Sequence, residues 1–245
     1  MIAVVPAAGR GSRLGVDVPK VFVEVRPGVR IVDMLVARLA VVVDRVHLVL
    51  SADGLAHFER ARPTVDPGVT LTASVQHEPR GMGDAVFSAR DHWRDARDLL
   101  VVWGDQLGLS HETLAKTVVA QRGATRPTVT LPLVERDAPY VHYDIDASGT
   151  LARVLQSREG DVCPAHGLSD VGLFALSTND LDATWSRYRS TPAAMGARTG
   201  EINLLPFFAH LSSREGFAVG VIPVRDPDEA RGVNTPDDLA WFRAR

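Results

Sequence analysis

Cysteine is nearly missing from this chain of 245 residues, which has only Cys163. An internal disulfide and a multi-cysteine zinc site are therefore excluded, and the usage fits a reducing cytoplasm. No run is long and apolar enough to span a membrane. The chain opens directly into Ile2–Val5, with no basic stretch or cleavage pattern before it, so no signal peptide is expected and the predicted location is cytoplasmic. Excess positive charge is absent too. The formal net charge of −3 argues against a nonspecific nucleic-acid binder. Low-complexity tracts and internal repeats are missing, and the eight histidines lack metal-ligand spacing. Lysine is scarce as well. Apart from Lys20 and Lys116, every residue in the Lys+Arg total of 27 is arginine. Two glycine loops are also absent. No G-x-x-x-x-G-K-[ST] occurs, and the G-x-G-x-x-G pattern fails from Gly9 because Leu14 holds the third glycine position.

What remains is a globular composition, 45% hydrophobic and 23% charged, in a chain ample for a sizeable core. Short β-rich runs alternate with helix-length runs. Strands are predicted at Ile2–Pro6, Arg45–Leu50, Leu71–Val75, Leu99–Trp103, Thr128–Leu133, Gly172–Ala175 and Val219–Val224. Helices are predicted at Ile31–Val42, Gly54–Ala61, Gly83–His92, His111–Arg122, Thr178–Tyr188, Asn203–Leu211 and Asp237–Phe242. Such alternation implies an α/β fold, a Rossmann-like and mainly parallel sheet with helices on both faces. The region Pro132–Gly172 is richer in turn residues and reads as a β-rich insertion walling one side of a cleft within a single domain spanning 1–245. Within it, Asp146-Ala147-Ser148-Gly149 predicts a hairpin turn between Tyr140–Ile145 and Leu151–Gln156.

Sheets of this kind bind ligands beyond the carboxyl ends of their strands. The first strand opens into Ala7-Ala8-Gly9-Arg10-Gly11-Ser12-Arg13, with Pro19-Lys20 just beyond. Glycines let backbone N–H groups approach a phosphate, and Arg13 and Lys20 supply fixed positive charge where a triphosphate would lie. A lysine in an arginine-dominated chain points to a need for a compact point charge. Gly104-Asp105 ends a buried strand, which suits a magnesium ion held by few protein oxygens and by phosphates. Asn234, in Gly232-Val233-Asn234-Thr235-Pro236, offers a second, neutral oxygen, while Thr235 is placed to cap the last helix. In Gln76-His77-Glu78-Pro79-Arg80-Gly81-Met82-Gly83, the Gln76 amide can both donate and accept along a pyrimidine edge. Gly81 and Gly83 would let backbone approach a flat ring.

These windows, in this order, resemble the sugar-phosphate nucleotidylyltransferases, above all the uridylyltransferase domain of bacterial N-acetylglucosamine-1-phosphate uridylyltransferase. The likeness runs along essentially the whole chain. Its most specific part is Gly9-x-Gly11-Ser12-Arg13 with Pro19-Lys20, joined by Gly104-Asp105 and Gly232-Val233-Asn234. The resemblance implies the nucleotide-diphospho-sugar transferase fold and a Mg2+-dependent reaction between a nucleoside triphosphate, UTP favoured, and a sugar 1-phosphate or related polyol phosphate. Ala7, Ala8, Gly9, Gly11 and Ser12 would wrap the nucleotide, with Gln76, Gly81 and Met82 at the base. Arg13 would meet the leaving pyrophosphate and Lys20 the reacting phosphate. Asp105 and Asn234 would be the two protein ligands of magnesium. Tyr140, His142, Gln156, Asp170 and Glu201 are the candidates on the acceptor side. Neither nucleic acid nor membrane is an expected partner.

The chain also departs from the family. Asp170-Val171-Gly172 stands where the family has asparagine-threonine-glycine, and Met82 where it has threonine. Glu201 is followed by Ile202-Asn203 without the family's aromatics, and Gln156 or Glu159 takes the place of a sugar-binding glutamate. The acceptor, the base and the oligomeric state therefore stay open. Two other readings stand beside the first: a cytidylyltransferase acting on a polyol or alcohol phosphate, and a catalytically silent nucleotide-sugar-binding module.

Overall fold

The computed structural model describes residues 1–9 and 11–245; Arg10 lies outside the described residues, as does the side chain of Ser12. In chain order the strands and α-helices are β1 (Ile2–Ala7), β2 (Glu24–Arg26), β3 (Val29–Arg30), α1 (Ile31–Ala40), β4 (Arg45–Leu50), α2 (Ala52–Arg60), β5 (Thr70–Val75), α3 (Met82–Ser88), α4 (Arg90–Trp93) and β6 (Asp98–Val102). There follow α5 (His111–Arg122), β7 (Thr128–Asp137), β8 (Val141–Ile145), β9 (Leu151–Gln156), β10 (His166–Asp170), β11 (Leu173–Ser177), α6 (Leu181–Arg189), α7 (Leu205–Arg214), β12 (Ala218–Val224) and α8 (Pro236–Arg243).

The central sheet runs β10-β7-β11-β6-β1-β4-β5, with β12 along the other edge of β7. Every pairing is parallel except those of β10 and β11. These two strands share one edge of β7 and form a single antiparallel strand, interrupted at Val171-Gly172. The sequence pattern puts Gly172 at the start of a strand. It lies in the interruption instead, at φ +73°, a conformation that glycine adopts without strain.

β1 shows why the sheet is covered on both faces. Its β-branched residues suit a strand, and Ile2, Ala3, Val4 and Val5 are all buried. Ile2 and Val4 pack with α3, α4, α6 and α7 residues such as Val86, Trp93, Trp185 and Phe207. Ala3 and Val5 pack on the opposite face with Leu35, Phe58, Leu114 and Leu239. Each such large aliphatic side chain contributes about 1.5–3 kcal/mol by leaving water. The predicted hairpin forms as β8 and β9, and its turn is held by Asp146, whose Oδ1 accepts from Ser148 N (2.8 Å) and Thr150 N (3.0 Å).

The chain winds from β1 outward to β4 and β5, then returns to β6 on the other side of β1. That reversal opens a crevice at the carboxyl ends of β1 and β6. Pro6 widens it. β1 pairs with β6 from Ile2↔Leu99 as far as Val4↔Val101, and Pro6 has no N–H to continue the ladder. Its carbonyl instead accepts from Gly104 N at 3.2 Å, which ties the loop after β6 to the end of β1.

Candidate active site

Three segments that are distant in sequence meet at this crevice. The first follows β1. Leu14 N donates to Gly11 O (2.9 Å), closing the turn that carries Ser12 and Arg13, and Lys20 then begins a short 3₁₀ helix whose Val21 and Phe22 are buried. Gly11 has φ +63°, and a Cβ there would lie 2.7 Å from Lys20 Cβ, so only glycine lets the loop lie against Lys20. Ala7 and Ala8 are half-buried, and Gly9 and Arg13 are exposed. Among the described residues Arg13 makes no ion pair.

The second segment is Gly104-Asp105, just past β6. The third is Gly232-Val233-Asn234, just before α8. Several bonds bind the third to the second. Val233 N donates to Asp105 O (2.9 Å) and Gly108 N to Arg231 O (3.2 Å). Gln106 Nε2 donates to Glu229 O at 2.5 Å, and both side chains are buried. The Glu229 carboxylate accepts from Ser110 N (3.0 Å) and Thr113 Oγ1 (3.1 Å) at the start of α5. As expected, Thr235 caps α8, and Asp238 closes the capping box.

At the junction, Lys20 Nζ lies 2.5 Å from Asp105 Oδ2 and 3.1 Å from Asn234 Oδ1. The structure thus brings together two oxygen donors, one charged and one neutral, around a single ammonium. Among the described residues no cluster of three or more His, Cys, Asp or Glu side chains can hold a metal ion. The Asp105–Asn234 pair does fit a magnesium ion that takes a few hard protein oxygens and fills its shell with phosphate oxygens and water.

The base-side window differs from expectation in its reason for glycine. Gly81 has φ +109°, and a Cβ there would come within 2.8 Å of Ile202 O and 2.9 Å of Glu201 Cβ. The close approach at Gly81 is therefore to the protein's own 201–202 segment, and Ile202 N donates to Arg80 O (2.6 Å). Gln76 is buried and its amide donors are spent internally, on Gly81 O (3.1 Å) and Asp84 Oδ2 (2.9 Å). With both amide donors spent, only Oε1 is left as an acceptor, in place of the expected donor–acceptor pair. Met82 opens α3 and packs against the core.

On the acceptor side, Asp170 sits at the strand interruption. Its oxygens accept from Gly172 N (2.9 Å) and Tyr143 OH (3.3 Å). Desolvation raises its pKa, outweighing those two bonds. Tyr140, just before β8, is 61% exposed. Its hydroxyl is nevertheless pushed up to about 12, first by desolvation and then by the Asp170 and Asp105 carboxylates. Both Asp170 and Tyr140 also feel Arg136. His142 bridges the hairpin to β10, its Nδ1 lying 3.2 Å from Leu168 O. Gln156 is buried at the end of β9. Glu201 is ion-paired with Arg158 at 2.8 Å. Glu159 staples the next loop by accepting from Arg198 N (3.0 Å) and Thr199 Oγ1 (2.7 Å).

Sequence reasoning missed Tyr143, Arg136, Arg158 and the Gln106–Glu229 strap. The strap left one signal, since Gln106 directly follows Gly104-Asp105. The others carry no local pattern.

A family model described as the MobA-like NTP transferase domain matches residues 3–168. The bifunctional protein GlmU of Anaeromyxobacter sp. (strain Fw109-5) is 33% identical over 242 residues, covering 98% of this chain and 48% of that protein. GlmU of Acidithiobacillus ferrooxidans (strain ATCC 53993) is 27% identical, covering 97% and 50%. The chain thus spans about half the length of the relatives it matches. Among solved structures, a Bacillus anthracis chain assigned as a glucose-1-phosphate thymidylyltransferase, in complex with sucrose, superposes with a TM-score of 0.75 at 14% identity, covering 100% of this chain and 94% of that one. HddC from Yersinia pseudotuberculosis superposes at 0.65 with 19% identity, covering 99% and 98%. At these identities the likeness is one of fold.

Proposed function

The chain belongs to the MobA-like NTP transferase domain family, and we propose that it joins a nucleoside triphosphate, UTP favoured, to a sugar 1-phosphate or related polyol phosphate, releasing pyrophosphate. The observation that carries this reading is the convergence of Lys20, Asp105 and Asn234 at the crevice where β1 and β6 part. In this reading residues 1–245 act as one domain, and the β8–β9 hairpin walls the acceptor side.

The acceptor phosphate is already an anion and needs no general base. Its oxygen attacks the α-phosphorus while the bond to pyrophosphate breaks in line, so the work left to the protein is positioning and charge neutralisation. The loop from Ala7 to Arg13 cradles the triphosphate with backbone N–H groups, and Arg13 holds the departing pyrophosphate. Lys20 meets the charge that develops at the reacting phosphate. Asp105 and Asn234 would hold magnesium, which supplies neutralising charge to the phosphates when bound. Gln76 Oε1 accepts from the base, which suits uracil N3–H. Asp170 and Glu201 accept hydrogen bonds from acceptor hydroxyls, and Tyr140 covers the acceptor as an exposed ring in the cleft. His142 serves this wall from behind, by joining the hairpin to β10.

Pyrophosphate release tests the proposal, measured with each of the four triphosphates against a panel of sugar 1-phosphates and polyol phosphates. Release that needs both a triphosphate and a phosphorylated acceptor is expected, with UTP the best donor. CTP as best donor would favour a cytidylyltransferase. Nucleotide-sugar binding without any release would favour a silent binding module.

A further inference from the structure

We propose that Lys20 is the built-in counter-cation of the metal ligands, filling their place until a divalent ion displaces it, so that arrival of the metal frees the ammonium for phosphate. This rests on the reading of Asp105 and Asn234 as the metal pair. The Lys20 ammonium touches both donors at once, at 2.5 Å and 3.1 Å, so it stands where a shared cation would stand. Two like charges cannot share that position. The exchange needs only a side-chain rotation. Lys20's backbone is anchored by buried Val21 and Phe22, whereas its stem is flexible. Gly11 packs directly on Lys20 Cβ, so the released ammonium stays beside the loop that would carry the triphosphate.

The exchange also gives a reason for lysine here. In a chain with two lysines among 27 Lys and Arg residues, the one at this position is a compact, tetrahedral ammonium that fits between two oxygens as a metal ion does. A planar guanidinium presents a fork and cannot imitate a point charge. The consequence is ordered loading. The free protein binds a divalent ion weakly, because the ion must first break a charge-assisted hydrogen bond. Phosphate offers the displaced ammonium a new partner, so metal and triphosphate reinforce one another's binding.

Binding of Mn2+ followed by electron paramagnetic resonance, with no nucleotide present, tests this on wild type, Lys20→Met and Asp105→Asn. Lys20→Met should bind Mn2+ about tenfold tighter than wild type, as expected when a charged hydrogen bond no longer has to be broken. Asp105→Asn should bind weakest, which assigns the signal to this site. Equal or weaker binding by Lys20→Met overturns the proposal, and so does no binding by either protein. A second readout uses the unaltered chain. Its two lysines are separable by peptide mass spectrometry, and Lys116, exposed beside Glu112, serves as reference. Mg2+ should speed acylation of Lys20 relative to Lys116; an unchanged ratio at saturating Mg2+ overturns the exchange. Neither readout involves turnover. Absence of pyrophosphate release with every substrate would therefore sink the proposed reaction and leave this inference standing or falling on its own data.

Discussion

Replacing Lys20 with alanine separates a catalytic role from a structural one, because the structure predicts very different sizes for the two effects. The ammonium bonds Asp105 at 2.5 Å, yet the two side chains remain 19% and 17% exposed. An ion pair still in touch with water contributes only about 1 kcal/mol to folding. For a chain of this length that is a fall of about 2–4 °C in melting temperature. Against the transition state the same charge acts on a phosphate in a crevice. Removing one such contact there costs about 2.7–4 kcal/mol, or about 10² to 10³ in rate. Pyrophosphate release under saturating substrates, run beside a thermal melt, reads both numbers. Lys20→Arg should also be slow, since the charge is kept but its compact shape is lost. A Lys20→Ala variant that keeps more than about a tenth of wild-type turnover would deny Lys20 this catalytic role, the loss then falling short of one electrostatic contact. A variant that melts so early that lost activity reflects lost fold would deny it equally.

Other perturbations have equally definite outcomes. Asp170 has its pKa raised by desolvation, so the native state binds more protons than the unfolded chain and stability falls as pH rises above the ordinary carboxylate range. Asp170→Asn should therefore raise the melting temperature at neutral pH, with the gain vanishing below about pH 4, and should raise the KM for the acceptor. His47, fully buried and hydrogen-bonded to Thr72 and Ser74, is lowered to about 3 by desolvation and by the stacked His92. The unfolded chain then binds the extra proton as pH falls, and denaturant titrations should show about 2 kcal/mol lost between pH 6.5 and 4.5, a loss that His47→Gln removes. Gly81→Ala combines φ +109° with a clash against Ile202 O, so it should cost more than about 1 kcal/mol and weaken nucleotide binding by shifting Gln76. Calorimetry and nucleotide titration of that variant read the two effects separately.

Much of the architecture is legible in the sequence because its strands are dense apolar runs bounded by turn residues. β4 and α5 have the predicted limits. β10 was illegible for a physical reason. His-Gly-Leu-Ser-Asp shows no apolar alternation, and the strand pairs only with the second half of β7, which is why β7 runs on past Leu133 to Asp137. The β2–β3 hairpin is too short to leave a period. In the site, strand-end chemistry marks Lys20, Asp105 and Asn234, since each sits where a strand or helix boundary leaves side chains facing the crevice. Partners set by tertiary packing left no such mark. Glu201 carries Arg158, the Gln76 donors are spent on Asp84 and Gly81, and Gly81 makes room for Ile202.

Whether Asp105, Asn234 and Lys20 form one metal and phosphate site is read directly from a crystal of the wild-type chain grown with Mn2+ and a non-hydrolysable uridine triphosphate analogue, with the metal located by its anomalous signal. One Mn2+ ligated by both Asp105 and Asn234 is expected, with Lys20 moved onto a phosphate oxygen. A metal peak away from either side chain, or a triphosphate bound outside the β1–β6 crevice, would contradict it.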